Sequence, residues 1–210
     1  MRIQKDNIVI RSATIDDAIQ LNTWWNDGKV MEHAGFPNGL GETIEDTIDN
    51  IKNRKDKLNQ LCIIEIDGKP VGELSYRIKA DKAYPGWKIC DFNYQNQGYG
   101  TKIIMILLEF LFTDGDINST FSVNKIILDT MLENKRAQHV YEAKIGAKKI
   151  GLRENTWQDQ VGNWRSAVDY EITREAFFNL FTNYQAENLN IINSNNSITE
   201  CIHDKSVCER

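Results

Sequence analysis

Tyr94-Gln95-Asn96-Gln97-Gly98-Tyr99-Gly100-Thr101 separates a short apolar run over residues 87–92 from a denser one over residues 103–112. Short apolar run, two-glycine turn and longer apolar run read as strand, turn and helix. The glycines let the backbone turn tightly and come close to a ligand. The first N–H groups of the new helix lack intrahelical partners and lie at its positive end, where they favour an anion. A phosphate or pyrophosphate is the natural guest of such a turn.

Upstream, residues 8–13 read as a strand. Thr14-Ile15-Asp16-Asp17 has the form of a capping box, with Asp for Glu, opening a helix through Trp24 and Trp25. Residues 28–41 form a loop, and Thr43-Ile44-Glu45-Asp46 opens a second helix with Ile44, Ile48 and Ile51 at helical spacing. Residues 61–66 and 70–78 read as a hairpin turning at Asp67-Gly68. Tyr84-Pro85-Gly86 then reads as a turn leading into the strand over 87–92.

Downstream of the glycine turn, residues 114–120 read as a polar loop and 123–130 as a strand. A helix over 134–144 stops at Gly146. Two last strands over 147–153 and 164–173 are joined by a polar loop, and residues 174–181 read as helical. Residues 183–210 are rich in Asn, Ser and Glu and read as a polar tail that cannot fold alone. The order β-α-α-β-β-β-α-β-α-β-β predicts a single α/β (α+β) domain over residues 8–176. Its sheet is mixed, mostly antiparallel and seven-stranded, with about four flanking helices.

The 210 residues, 41% hydrophobic and 26% charged, fit an ordinary globular chain. The formal charge of −5 argues against a general nucleic-acid surface and favours cationic substrates such as amines. Cys62, Cys90, Cys201 and Cys208 have no metal spacing, so no metal site is expected. The N-terminus has no apolar signal core, and the run over 103–112 falls short of the about 20 residues a bilayer requires. A cytoplasmic chain without membrane contact is expected. The tail and edge strands leave a homodimer open.

Gln95-x-x-Gly98-x-Gly100 at a strand-to-helix turn, followed by Asn134-x-x-Ala137-x-x-x-Tyr141-Glu142 one strand later, resembles the GNAT superfamily of acetyltransferases over residues 8–176. Within it the chain is most similar to the bacterial branch of ribosomal-protein N-terminal and aminoglycoside acetyltransferases. The resemblance implies acetyl-coenzyme A as co-substrate and a sheet splayed between the strands over 87–92 and 123–130. It puts the pyrophosphate on the backbone of Gln97, Gly98, Tyr99, Gly100 and Thr101, with Gln95 and Asn96 at the entrance. The pantetheine arm would lie along Ile89, Cys90 and Asp91, near Asn134, and Tyr141 would stand near the thioester sulfur. The family's usual basic residue ahead of the glycines is missing; no charge appears until Lys102.

The implied activity is direct transfer of acetyl to a small-molecule or peptide amine. A non-catalytic acyl-coenzyme A sensor is the alternative. Tyr141 is the candidate acid for the leaving thiolate. Asp91 and Glu73 are candidate bases, beside water-mediated deprotonation; Asp91 also reads as a turn-forming residue. Trp24, Trp25 and Phe36 are candidate walls of the acceptor site, with the loop around Trp157 opposite.

Overall fold

The computed structural model describes residues 1–180 and 182. Among these, nine strands form one sheet: β1 Arg2–Lys5, β2 Ile8–Ser12, β3 Lys55–Asp56, β4 Asn59–Ile66, β5 Lys69–Lys79, β6 Lys82–Ile89, β7 Lys125–Met131, β8 Lys148–Gln158 and β9 Trp164–Thr173. The order is β1-β2-β4-β5-β6-β7-β9-β8, with β3 on β4. All neighbours are antiparallel except β6 and β7. The mixed, mostly antiparallel sheet therefore stands as expected, with two strands more than seven. Both additions, β1 and β3, are short and polar and carry almost no apolar alternation.

The helices are α1 Ala18–Trp25, α2 Gly28–Met31, α3 Ile44–Asn53, α4 Tyr99–Thr113, α5 Gly115–Phe121 and α6 Lys135–His139, with a π-helical turn over Val140–Lys144. Both capping boxes form. Thr43 N–H donates to Asp46 Oδ2 at 3.0 Å while Asp46 N–H returns a bond to Thr43 Oγ1 at 3.1 Å. Thr14 N–H donates to Asp17 Oδ2 at 2.7 Å. Residues 174–180 are helical, and the described residues from Glu175 onward fall outside the unit formed by Met1–Arg174. The polar tail over 183–210 lies outside the described residues.

Three sequence expectations are corrected. Tyr84-Pro85-Gly86 is not a turn but the middle of β6, and the chain reverses at Ala80, whose φ is +53°. Residues 90–92 are not strand, because β6 ends at Ile89 and a 3-10 turn runs from Phe92 to Tyr94. Residues 114–120 are not a loop: Asp114 caps α5 by accepting from Ile117 N–H at 2.9 Å, and Ile117 is buried.

The sheet has helices on both faces. Ile63, Glu73 and Lys88 are directly opposite one another across β4, β5 and β6, so their side chains share a face. Ile63 packs there with Leu21, Trp24, Trp25 and Ile51 of α1 and α3. On the other face Tyr76 meets Phe110 of α4 at 6.3 Å between ring centroids. Seven apolar side chains of α4 are buried, each contributing about 1.5–3 kcal/mol gross. That burial is why α4 stays pressed on the sheet with its N-terminus fixed beside the end of β6.

Arg11 ties β2 to the entry of α1 through Asp17, with bonds of 2.7 and 2.8 Å, and to Glu65 of β4 at 2.7 Å. Desolvation pushes the Asp17 carboxyl up, but the Arg11 guanidinium and Thr14 N–H more than offset it, so the carboxyl titrates below its ordinary range. A depressed folded-state value stabilises the fold above the unfolded value and loses that contribution as pH falls through the folded one. Asp17→Asn should therefore lower the urea midpoint at pH 7. The gap from wild type should close below about pH 4.

Candidate active site

The site begins where two strands part. Parallel β6 and β7 pair only at Lys82 with Lys125 and Ala83 with Ile126, and then diverge. β6 continues against β5, and β7 against β9. Cys90 N–H donates to Val71 O at 2.8 Å. Antiparallel alternation then turns the polar backbone groups of Ile89, Trp87 and Pro85 away from β5, toward the side β7 has left. Pro85 is tolerated there because its absent N–H faces no ladder.

Of the three residues expected along a pantetheine arm, Cys90 and Asp91 both commit their N–H groups to Val71 O. The outward groups belong to Ile89 and, two residues back, to Trp87, which sequence reasoning missed. Gln95 Nε2 already holds the Ile89 carbonyl at 2.8 Å. Asn134 caps α6, accepting from Ala137 N–H at 3.1 Å.

The turn lies at the open end of this gap. Gly98 caps α4 at φ +81°, and Asn96 takes φ +61°, so both adopt the left-handed conformation the turn requires. The first intrahelical bond runs from Lys102 N–H to Gly98 O. The N–H groups of Tyr99, Gly100 and Thr101 precede it and have no partner within the helix. Asn96, Gln97 and Gly98 are exposed, and the Gln97 amide donates to Asn93 O. Lys102 folds back over the Tyr99 ring at 6.0 Å. The cation absent from the turn comes from α6: Arg136 Nη1 donates to Gln95 Oε1 at 3.1 Å. Only its spacing two residues after Asn134 could have drawn attention to it.

Tyr141 lies in the π-helical turn. Its ring meets Trp87 of β6 at 5.7 Å and Tyr170 of β9 at 5.4 Å, edge-on in both cases. It thus packs between the β6 side and the β7–β9 side of the parted sheet, and is 8% exposed. Burial first, then the charge of Asp129 and the neighbouring Tyr170, pushes its hydroxyl above the usual phenol range. Tyr170 is pushed up to about 12 by burial and by its 2.8 Å bond to Glu142.

The candidate carboxylates are both engaged. Asp91 caps the 3-10 turn, accepting from Asn93 N–H at 2.9 Å and Asn93 Nδ2 at 3.0 Å. Glu73, on the α1–α3 face, is 5% exposed and paired with Lys88 at 2.5 Å. Asp91 also lines a cavity of about 330 Å³ with Trp24, Asp27 and Cys90. Burial raises the Cys90 thiol to about 12, so it is not a ready nucleophile. Trp24 and Trp25 belong to the core cluster, Trp25 being 4% exposed, whereas Phe36 is 37% exposed.

The segment expected to form the opposite wall is strand rather than loop, since Trp157 lies in β8. Where a Gly35 Cβ would point, the Trp157 ring lies 2.2 Å away. Gln160 at the β8–β9 tip accepts from Asn38 N–H at 2.9 Å and donates to Gly39 O at 2.8 Å, so the tip is strapped to the loop after α2. Buried Asp159 holds the tip together, accepting from Asn163 and Arg165. Among the described residues no cluster of His, Cys, Asp and Glu is placed to hold a metal, and no helix is long and apolar enough to cross a membrane.

Residues 7–148 match the family model for the acetyltransferase (GNAT) domain. A GNAT-family acetyltransferase from Bacillus anthracis superposes with a TM-score of 0.67 at 21% identity, over 83% of this chain and 99% of that one. RimL, a ribosomal L7/L12 alpha-N-protein acetyltransferase solved with coenzyme A, gives 0.71 at 15%, over 84% and 99%. Spermidine N-acetyltransferase from Vibrio cholerae, solved with coenzyme A and spermine, gives 0.70 at 18%, over 83% and 99%. These likenesses are of fold. For Arg136, replacement by Ala should weaken coenzyme A binding roughly tenfold, the ~1.4 kcal/mol of a modest charge-assisted contact. Calorimetric titration would check it, and the loss should shrink in high salt.

Proposed function

Because the chain belongs to the GNAT acetyltransferase family, we propose that it transfers acetyl directly from acetyl-coenzyme A to an amine held on the α1–α3 face of its sheet. The observation that carries this reading is Tyr141 packed between Trp87 and Tyr170 beside the parted strands. The residues present fit the co-substrate. The amides of Tyr99, Gly100 and Thr101, with Arg136 nearby, suit a pyrophosphate, and the outward backbone of Trp87 and Ile89 suits an amide-bearing arm.

Acetyl-coenzyme A supplies an acyl group activated as a thioester. A backbone N–H on the open side of β6 polarises its carbonyl. Tyr141 gives its proton to the departing sulfur, and its high titration range keeps that proton available at neutral pH. Glu73 could act as base only by giving up Lys88, and Asp91 is occupied in its turn. The amine's proton therefore leaves through water, and Glu73 and Lys88 shape the floor of the acceptor side. A purely sensory role is disfavoured by placing a proton donor at the gap.

The acceptor class rests on chemistry and kinship: the similar structures include enzymes named for a protein alpha-amino group and for spermidine. Tyr141→Phe should lower kcat about 100-fold while KM for acetyl-coenzyme A stays within a few-fold. Unchanged turnover would remove the acid role, and failure of calorimetry to detect coenzyme A binding would sink the whole reading. In wild type, kcat/KM should rise with pH along the acceptor amine's own titration. Deprotonation of Tyr141 should not cut activity below about pH 10, since its value is raised, not lowered.

A further inference from the structure

A second cavity of about 330 Å³ lies farther back along β5 and β6, lined by Arg54, Asn59, Ser75, Tyr76, Arg77 and Tyr84. It opens on the acceptor face. Ser75 and Arg77 follow Glu73 at alternate positions of β5, and Tyr84 precedes Gly86 and Lys88 at alternate positions of β6. The register sets Arg77 opposite Tyr84, Ser75 opposite Gly86 and Glu73 opposite Lys88, which makes one continuous row. Nothing lies within 4 Å of where a Gly86 Cβ would be, so the row is open at Gly86, between the cavity and Lys88.

The charges are unbalanced. No carboxylate lines the cavity, and the one beside it, Asp56 opposite Asn59, accepts from Leu58 N–H at 2.8 Å. Arg77 lies over the Tyr84 ring at 5.9 Å. Arg54 reaches only the neutral Asn50 Oδ1, at 3.4 Å. Among the described residues neither half-buried Arg54 nor exposed Arg77 has an ion-pair partner, unlike Arg11, Arg153 and Arg165 but like Arg2, Arg136 and Arg174. In a chain of net charge −5, two unpaired arginines in one cavity are a local excess of the opposite sign. Ser75 and Asn59 add neutral donors. Planar guanidinium forks beside hydroxyl and amide donors are the chemistry that receives carboxylate or phosphate.

We propose that this cavity binds an anionic group, carboxylate or phosphate, at the far end of the acceptor, so that the preferred substrate is an amine carrying a terminal negative charge. The inference rests on the acetyl-transfer reading and narrows its acceptor. Tyr84 lies three residues from Trp87, or roughly 10 Å of strand, which sets the spacing between amine and anion.

The test compares aminohexanol, diaminohexane, aminohexanoate and aminohexyl phosphate as acceptors. The two anionic amines should exceed aminohexanol and the diamine in kcat/KM by about tenfold or more, and the larger of their two values identifies carboxylate or phosphate as the better fit. Arg54→Ala and Arg77→Ala should each reduce the preference and together abolish it, with KM for acetyl-coenzyme A unchanged and Arg77→Lys retaining part of it. Equal rates for all four amines, or a preference that survives the double variant, would overturn the proposal. Titration of inorganic phosphate and of acetate separates the two readings. Binding of either anion that the double variant loses supports the subsite even where coenzyme A fails to bind; binding of neither to wild type overturns it.

Discussion

The parting of β6 from β7 after two paired residues is the constraint on which the rest of the structure depends. A parallel pair that ran its full length would bury the outward backbone groups of Trp87 and Ile89 in a ladder. Released, they need partners, and unsatisfied backbone groups are costly unless water or a ligand reaches them. The Ile89 carbonyl is met by Gln95, which in turn accepts from Arg136. One short chain of bonds thus links the end of β6, the glycine turn and α6, elements that no regular ladder joins. The sheet stays intact because β6 keeps its bonds to β5 and β7 its bonds to β9.

The same parting explains the aromatic stack. With no strand pairing to join the two halves of the sheet beyond Ala83, packing must do it. Trp87, Tyr141 and Tyr170 supply it edge to face, an arrangement worth about 0.5–1.5 kcal/mol per pair beyond burial. The π-helical turn adds a residue to the helix, a device common at functional sites. It brings the Tyr141 ring between its two neighbours while Glu142, next along, takes the Tyr170 hydroxyl.

Much of this was legible in the sequence, for identifiable reasons. The capping boxes, the Asp67-Gly68 hairpin and the apolar run of α4 announce themselves locally, and the structure contains all of them. The glycine turn is equally local: two positive-φ residues and a strand-helix junction. What escaped depends on distant partners. Pro85 looked like a turn because proline normally breaks a ladder, and only the missing neighbour on that side makes it acceptable. Glu73 read as a candidate base; the register that sets it opposite Lys88 under α1 and α3 cannot be read from alternation alone. Arg136 is forty-one positions from Gln95, and nothing between them signals contact.

Charge placement carries the last step. A chain of net charge −5 is expected to repel an anionic co-substrate weakly at long range, yet Debye screening confines that repulsion to about 8–10 Å at ordinary salt. Binding is then decided by the nearest groups. At the turn the proposed groups are helix amides and one guanidinium that Gln95 holds in place. On the proposed acceptor side they are Lys88, already neutralised by Glu73, and beyond it two arginines without an ion-pair partner. The global sign, which pointed to cationic partners, and the local sign, which points to anions, are therefore compatible. The first governs solubility and encounter, while the second governs which group can lose its water and remain paired.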